Sequence, residues 1–428
     1  MTIDAERYQP GQGERSDLQR RTVRTLAVTN AVGGVGVTTG ITVATLLAAD
    51  VSGRESLAGL SQTAQVAGTA VAAYVLSRIM GARGRRVGLA IGYLVGGVGA
   101  LLCVLAGVLR SFPLLLVAAA LFGSGSASNS QSRFAATDLA LDEHRGRDLS
   151  MVVWATTIGA VLGPNLADVG GTLATALGLP ALTGAFLITA LALAVTIALV
   201  QLLLRPDPLL VARAAAEHQR RTAPPGGTRH DDVSAWQVLR THPTVAACVV
   251  AIALAHTVMV SVMIMTPIHM RHGDASVRLI GLTISGHILG MYAFSPLVGR
   301  LADRLGAWAV MLLGAAVEAA SIVVAATSHA GASWLLGAAL FGLGLGWSFA
   351  LIGASSALVG ATPLPARAPV QGLSDLVMGF TAAAGGGLAG LIVGWHGYPA
   401  LALSCLPAAA VVGVCALLVR RATRLPIT

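Results

Sequence analysis

The chain has 428 residues, of which 55% are hydrophobic and 11% charged, and a formal net charge of +9. That balance, with a mean hydropathy of +0.76, excludes a soluble globular domain and points to runs long enough to cross a bilayer. Four cysteines, all inside apolar runs, exclude a disulfide framework, and a basic excess made wholly of loop Arg argues against a nucleic-acid partner.

Residues 1–24 are polar and Arg-rich and lack the apolar core of a signal peptide, so they read as an uncleaved, unstructured tail. Twelve apolar spans follow, at about 25–49, 57–80, 87–109, 113–135, 149–171, 181–204, 244–270, 279–298, 307–328, 333–354, 371–394 and 399–420. The first six make one bundle over 25–204 and the last six a second over 244–420, followed by a tail at 421–428. Between them, 205–243 carries charged flanks and Pro224-Pro225-Gly226-Gly227, the signature of a flexible linker with one surface helix around Trp236. Trp308, Trp334 and Trp395 fall near span ends, where an aromatic belt would place them. The expected fold is therefore an all-α membrane protein of 12 transmembrane helices in two six-helix bundles.

Twelve crossings put both termini on one side. The loops and tails of that side hold 24 of the 28 Arg, against Arg54, Arg110, Arg271 and Arg278 on the other. Positive charge is retained inside, so both termini are expected in the cytoplasm of a multi-pass cell-membrane protein.

The halves repeat. Tyr74, Ser77 and Gly81 recur as Tyr292, Ser295 and Gly299, and Ala120-Leu121-Phe122-Gly123-x-Gly125 recurs as Ala339 to Gly344. The offsets, 218 and 219, agree within one residue and mark a duplicated six-helix unit.

Gly299-Arg300-Leu301-Ala302-Asp303-Arg304-Leu305-Gly306 resembles the G-x-L-A-D-R-x-G loop of the major facilitator superfamily. The resemblance covers the whole chain and implies that family's fold. It also implies that Asp303, with Arg300 and Arg304, braces neighbouring helix ends as a gating loop. The equivalent first-half loop keeps Gly81, Gly84, Arg85 and Arg86 but lacks the Asp. Gly159-x-x-x-Gly163-Pro164 resembles part of the same superfamily's antiporter motif, but small residues there more often serve close helix packing.

Chemistry concentrates in spans seven and eight. Met259 and Met263 form M-x-x-x-M, and His287 and Met291 form H-x-x-x-M. Residues four apart share a helix face, and thioether sulfur with imidazole is a soft ligand set suited to Cu(I). At 1.5 Å per residue, Met263 and His287 lie roughly 10–12 Å below the outer end, and Met259 and Met291 roughly 16–18 Å below it. Adjacent antiparallel helices would thus close a three-sulfur, one-nitrogen site near the midplane. Cys248, His256, Met259, Met263 and Met270 fall within about 80° of one helix face, so Cys248 and His256 extend a candidate pathway inward and Met270 and His272 extend it to the outer mouth. Met265 and His269 point elsewhere. Five of the ten Met lie between 259 and 291, yet the 218 offset converts the four ligands to Ile41, Thr45, Thr69 and Ala73. The scaffold is duplicated; the ligands are not.

Pair types, order, helix assignment and spacing resemble the CcoA-type copper importers of this superfamily. That resemblance implies a transporter that brings Cu(I) into the cytoplasm as cargo, with no permanently bound cofactor, to supply assembly of haem–copper cytochrome oxidases. The partners it implies are copper, the bilayer and a cytoplasmic copper chaperone, for a monomeric carrier. The alternative is a proton-coupled carrier of a small organic solute, in drug efflux or flavin uptake, with the Met face lining an apolar cavity. A third reading, a membrane copper sensor, has only the basic 205–243 segment to support it.

Among other polar groups, Glu318 sits mid-span, where a lone carboxyl is costly. Asp375 reads as a carboxylate at a helix N-terminus, and Arg133 as a helix-end Arg that either snorkels or meets the gate. No nucleotide loop, nucleophile triad or zinc-hydrolase spacing occurs, and no enzymatic activity is expected.

Overall fold

The computed structural model describes residues 12–54, 57–222, 234–331 and 333–424. Regular structure among them is helical throughout. In chain order the helices are α1 (Gln12–Ser52), α2 (Ala58–Arg83), α3 (Arg85–Leu109), α4 (Phe112–Ala135), α5 (Arg145–Ala176), α6 (Gly184–Leu203), α7 (Pro208–Thr222) and α8 (Ala235–Thr241). They continue as α9 (Pro243–His272), α10 (Val277–Tyr292), α11 (Ser295–Leu305), α12 (Ala307–Thr327), α13 (Trp334–Ala361), α14 (Arg367–Ser404) and α15 (Leu406–Arg424).

Among the described residues, ten stretches are long and apolar enough to cross a membrane. One of them, Leu364–Ala422, holds two crossings in 59 residues, separated where Gly397 takes φ +80°. The second crossing is α2, whose apolar character is diluted by Ser61, Gln65 and Thr69 packed inward or at the seam. The eighth is split into α10 and α11 because Pro296, in the first turn of α11, has no N–H to continue the helix. The expected twelve crossings are thereby accounted for.

The chain forms two compact units. One comprises Met1–Leu141, Ile158–Val238 and Thr362–Leu376; the other comprises Asp142–Thr157, Leu239–Ala361 and Val377–Thr428. The chain passes from one to the other within α5 and within α14. Inside the first unit the main packings are α3 on α4, α2 on α4, and α1 and α3 on α6. Inside the second, α12 on α13, α10 on α13, and α9 and α12 on α15 repeat the scheme helix for helix. Small residues let these seams close, as bilayer helices require when lipid supplies no hydrophobic drive. A Cβ on Gly68 would sit 2.0 Å from the Ala120 carbonyl oxygen, and one on Gly290 would sit 2.3 Å from that of Phe341.

Two segments differ from expectation. Residues 12–24 are helical rather than an unstructured tail, because α1 begins at Gln12 and is docked along one face. Gln19 Nε2 donates to the Ala136 carbonyl at 2.6 Å, and Leu18 packs against buried Leu139, Val211 and Ala212. Within the 205–243 linker, α7 is a 15-residue helix whose Leu209, Val211 and Ala212 are buried in the first unit. The surface helix around Trp236 is α8. Pro224 to Gly227 lie outside the described residues. At the other terminus α15 continues to Arg424, and 425–428 are likewise outside.

Candidate functional site

The second unit holds the soft-ligand residues. On α9, Met259 is buried and Met263 half-buried; on α10, Met291 is buried and His287 is 0% exposed. His287 Nδ1 lies 2.7 Å from the Leu340 carbonyl oxygen of α13. A carbonyl can only accept, so Nδ1 carries the proton and the neutral ring leaves Nε2 with its lone pair. That Nε2 is buried and has no hydrogen-bond partner among the described residues. A backbone carbonyl that fixes the tautomer and aims the other nitrogen is how metal-ligating histidines are held.

One turn further along α10, Met291 lies against Gly344 of α13. A Cβ on Gly344 would come within 3.1 Å of Met291 Cγ and 2.4 Å of the His287 carbonyl oxygen. The direct α9–α10 seam expected from the sequence is not the arrangement found. α13 packs against both helices, while α9 and α10 touch only marginally. The reason lies in α13, whose glycine face admits α10 closely and whose Trp347 reaches α9. The two candidate ligand pairs therefore sit on helices that both pack on α13 and meet each other only slightly.

Trp347 separates the two histidines chemically. Its Nε1–H donates to His256 Nδ1 at 3.0 Å. Indole only donates, so His256 has spent its acceptor nitrogen, whereas that of His287 remains open. Elsewhere on α9, Cys248 is buried across the α9–α15 packing from Cys415, Met270 is buried near the C-terminal end of the helix and His272 is exposed. His269 stacks on Tyr398 with ring centroids 4.2 Å apart. Glu318 on α12 is fully buried, with neither carboxyl oxygen hydrogen-bonded among the described residues.

The Arg-rich ends carry a second set of polar contacts. In the second unit, Asp303 accepts from the Gly146 and Arg147 amides at 2.7 and 2.9 Å, placing its carboxylate on the positive N-terminus of α5. Gly299 allows this approach, since a Cβ there would meet Ser150 Oγ at 2.1 Å. Gly306 turns the chain with φ +90°, and Arg300 and Arg304 are exposed.

In the first unit the matching loop turns at Gly84 with φ +93° but is held differently. Arg85 is fully buried, forks onto Asp138 at 2.8 and 3.1 Å and reaches Gln371 at 2.6 Å. The Arg86 amide donates to Asp207 at 2.7 Å, and the other Asp207 oxygen accepts from Leu209 and Leu210, so one buried carboxylate caps both α3 and α7. Asp375 is not at a helix N-terminus, because α14 begins eight residues earlier at Arg367. It pairs instead with Arg133 at 2.6 Å and accepts from Gln131 at 2.7 Å, so Arg133 is buried rather than snorkelling. Sequence reasoning missed Asp207 and Gln371. Asp207 follows Arg205-Pro206 at a charged loop start, which looks like ordinary linker.

Two six-helix halves that cross a membrane and repeat one packing scheme define a membrane carrier. The chain belongs to the Major Facilitator Superfamily, whose family model matches residues 26–275 and 258–427. An uncharacterized MFS-type transporter of Bacillus subtilis (strain 168), YdeG, is 35% identical over 94% of this chain and 93% of its own. The riboflavin transporter RfnT of Brucella anthropi is 28% identical over 91% of this chain and 95% of its own. Among solved structures, the human organic anion transporter MFSD10 shares the fold, with a TM-score of 0.72 at 15% identity over 93% of this chain and 99% of its own. The family and its solved neighbours are transporters, and the protein is a transporter, not an enzyme.

Proposed function

We propose that the protein imports copper, as Cu(I), across the cell membrane by alternating access. The observation that carries this reading is His287: a fully buried imidazole, its tautomer fixed by Leu340, with an unpartnered Nε2 one turn from a buried thioether. Met259, Met263, His287 and Met291 would hold the ion, and a thioether-rich set favours the monovalent state. The Arg distribution supports cytoplasmic termini, so cargo would pass toward Cys248 and a cytoplasmic chaperone. The carrier acts as a monomer with copper as substrate and no resident cofactor, and it supplies haem–copper oxidase assembly. Asp303 and Gly299 in one unit, and Arg85 and Arg86 in the other, brace the helix ends that rock in the transport cycle.

A second reading, proton-coupled transport of an organic solute such as a flavin, is supported by the 28% identity to a riboflavin transporter. Uptake of radiolabelled copper and of radiolabelled riboflavin, measured in one transporter-deleted host, separates the two. Copper uptake that requires the wild-type protein and is lost in both M259A/M263A and H287A supports the first. Riboflavin uptake insensitive to those substitutions, with no copper uptake, overturns it.

A further inference from the structure

The docked extension of α1 has two faces. Leu18, Gln19, Thr22 and Val23 point into the first unit. Asp17, Arg20, Arg21, Arg24 and Val28 form the opposite stripe, with Arg20 and Arg21 three and four residues after Asp17, Arg24 three after Arg21 and Val28 four after Arg24, all exposed. Beside this stripe lies a cleft of about 480 Å³ lined by Asp17, Arg20, Arg21, Arg24, Thr25 and Leu203. Asp17 is committed to Arg20 as an i, i+3 ion pair. Arg21 and Arg24 have no acidic partner among the described residues. The Thr25 hydroxyl sits on a residue only 6% exposed, at the cleft floor.

The height of the cleft matters. Val28, one turn beyond Arg24, is 49% exposed, and Leu202 beside the cleft is 68% exposed. Val28 on α1, with Leu202 and Leu203 at the C-terminal end of α6, are exposed apolar residues at the cleft end of two long apolar helices. The guanidiniums therefore lie where headgroup phosphates lie, with an apolar wall running directly into the acyl region. Three guanidiniums and one carboxylate leave net positive charge in a concave site, which is complementary to a phosphodiester joined to a hydrocarbon tail and not to a free cation or neutral solute.

We propose that this cleft binds an anionic phospholipid, with its phosphate on Arg21 and Arg24 and an acyl chain along Leu203 and Val28. Occupancy would fix the α1 extension, which in turn holds Ala136 through Gln19.

The test is lipid binding to the purified full-length protein by native mass spectrometry, titrating phosphatidylglycerol, phosphatidylcholine and inorganic phosphate in parallel. Wild type should prefer phosphatidylglycerol to phosphatidylcholine, and R21Q/R24Q should weaken phosphatidylglycerol binding by about tenfold or more. The charge-matched control R78Q/R83Q, on exposed α2 positions, should leave it unchanged. Three results overturn the proposal: R21Q/R24Q binding like wild type, R78Q/R83Q losing as much, or inorganic phosphate displacing the lipid at equal concentration. The last would make the cleft a site for free anions. Circular dichroism of each variant confirms helical content before titration.

Discussion

The α2–α4 seam of the first unit and the α10–α13 seam of the second solve one packing problem with different polar chemistry. In the first, Thr69 on α2 donates to the Gly123 carbonyl of α4 at 3.0 Å. At the equivalent position, 218 residues on, His287 bonds the Leu340 carbonyl of α13 at 2.7 Å. Both side chains spend one group on a backbone carbonyl across the seam. Threonine shares its one proton between the Gln65 and Gly123 carbonyls and is left with only a hard oxygen, while histidine retains an unpaired nitrogen in a buried site. Both halves keep the carbonyl hydrogen bond, and imidazole adds an unpaired nitrogen, the one proposed to hold the ion. The Arg-rich ends differ in the opposite sense. The first unit buries Arg133 against Asp375, whereas the equivalent positions in the second are Leu351 and Thr157. Both units set a carboxylate on helix amides, Asp207 in the first and Asp303 in the second, but the first adds the buried Arg133–Asp375 and Arg85–Asp138 pairs.

The largest expected effect comes from breaking that charge. Asp375→Asn leaves the Arg133 guanidinium buried without its counter-ion, which costs about 3–5 kcal/mol and should lower the unfolding temperature markedly in detergent. Thr157→Val, at the equivalent neutral position, should scarcely move it. Next comes His287→Thr, which makes the second seam copy the first. The carbonyl bond survives, so the protein should insert and unfold like wild type, yet Cu(I) affinity should fall about a hundredfold, or roughly 2.8 kcal/mol. Retained copper binding in that variant would sink the ligand role of His287.

The fold was legible because its signals are redundant. Twelve apolar runs, the Arg asymmetry and two repeats in one register each point to the same architecture. That each proposed ligand pair shares a helix was legible by spacing alone, since four residues is about one helical turn. Their surroundings were not. Leu340 contributes through its backbone carbonyl, which leaves no mark in the sequence, and α13 stands beside both ligand helices because of glycines whose role shows only once a neighbour is placed. The α1 extension was misread for a similar reason. Its polar composition describes one face, while Leu18 and Gln19 hold the other through partners more than a hundred residues away. Asp375 stands at the start of the apolar run, but α14 begins at Arg367, about two turns before it.

Smaller effects sharpen the comparison further. Asp303→Asn keeps the side-chain shape and removes the charge from the α5 N-terminus, at a cost of about 1–2 kcal/mol, read as a lower unfolding temperature. If the loss equals that of Asp375→Asn, the contrast between the two units disappears.

The smallest change is Thr69→Val. It deletes the hydroxyl that bonds Gly123 while filling the same volume, so destabilisation should be about 1 kcal/mol. Copper uptake should stay at the wild-type level, because no ligand is touched. His287→Thr and Thr69→Val thus alter the same register of the same seam in opposite halves. One should remove transport and spare stability; the other should do the reverse. An equal loss of uptake in both would mean that the seams act together in the transport cycle, and the imidazole would then matter for packing rather than for holding an ion.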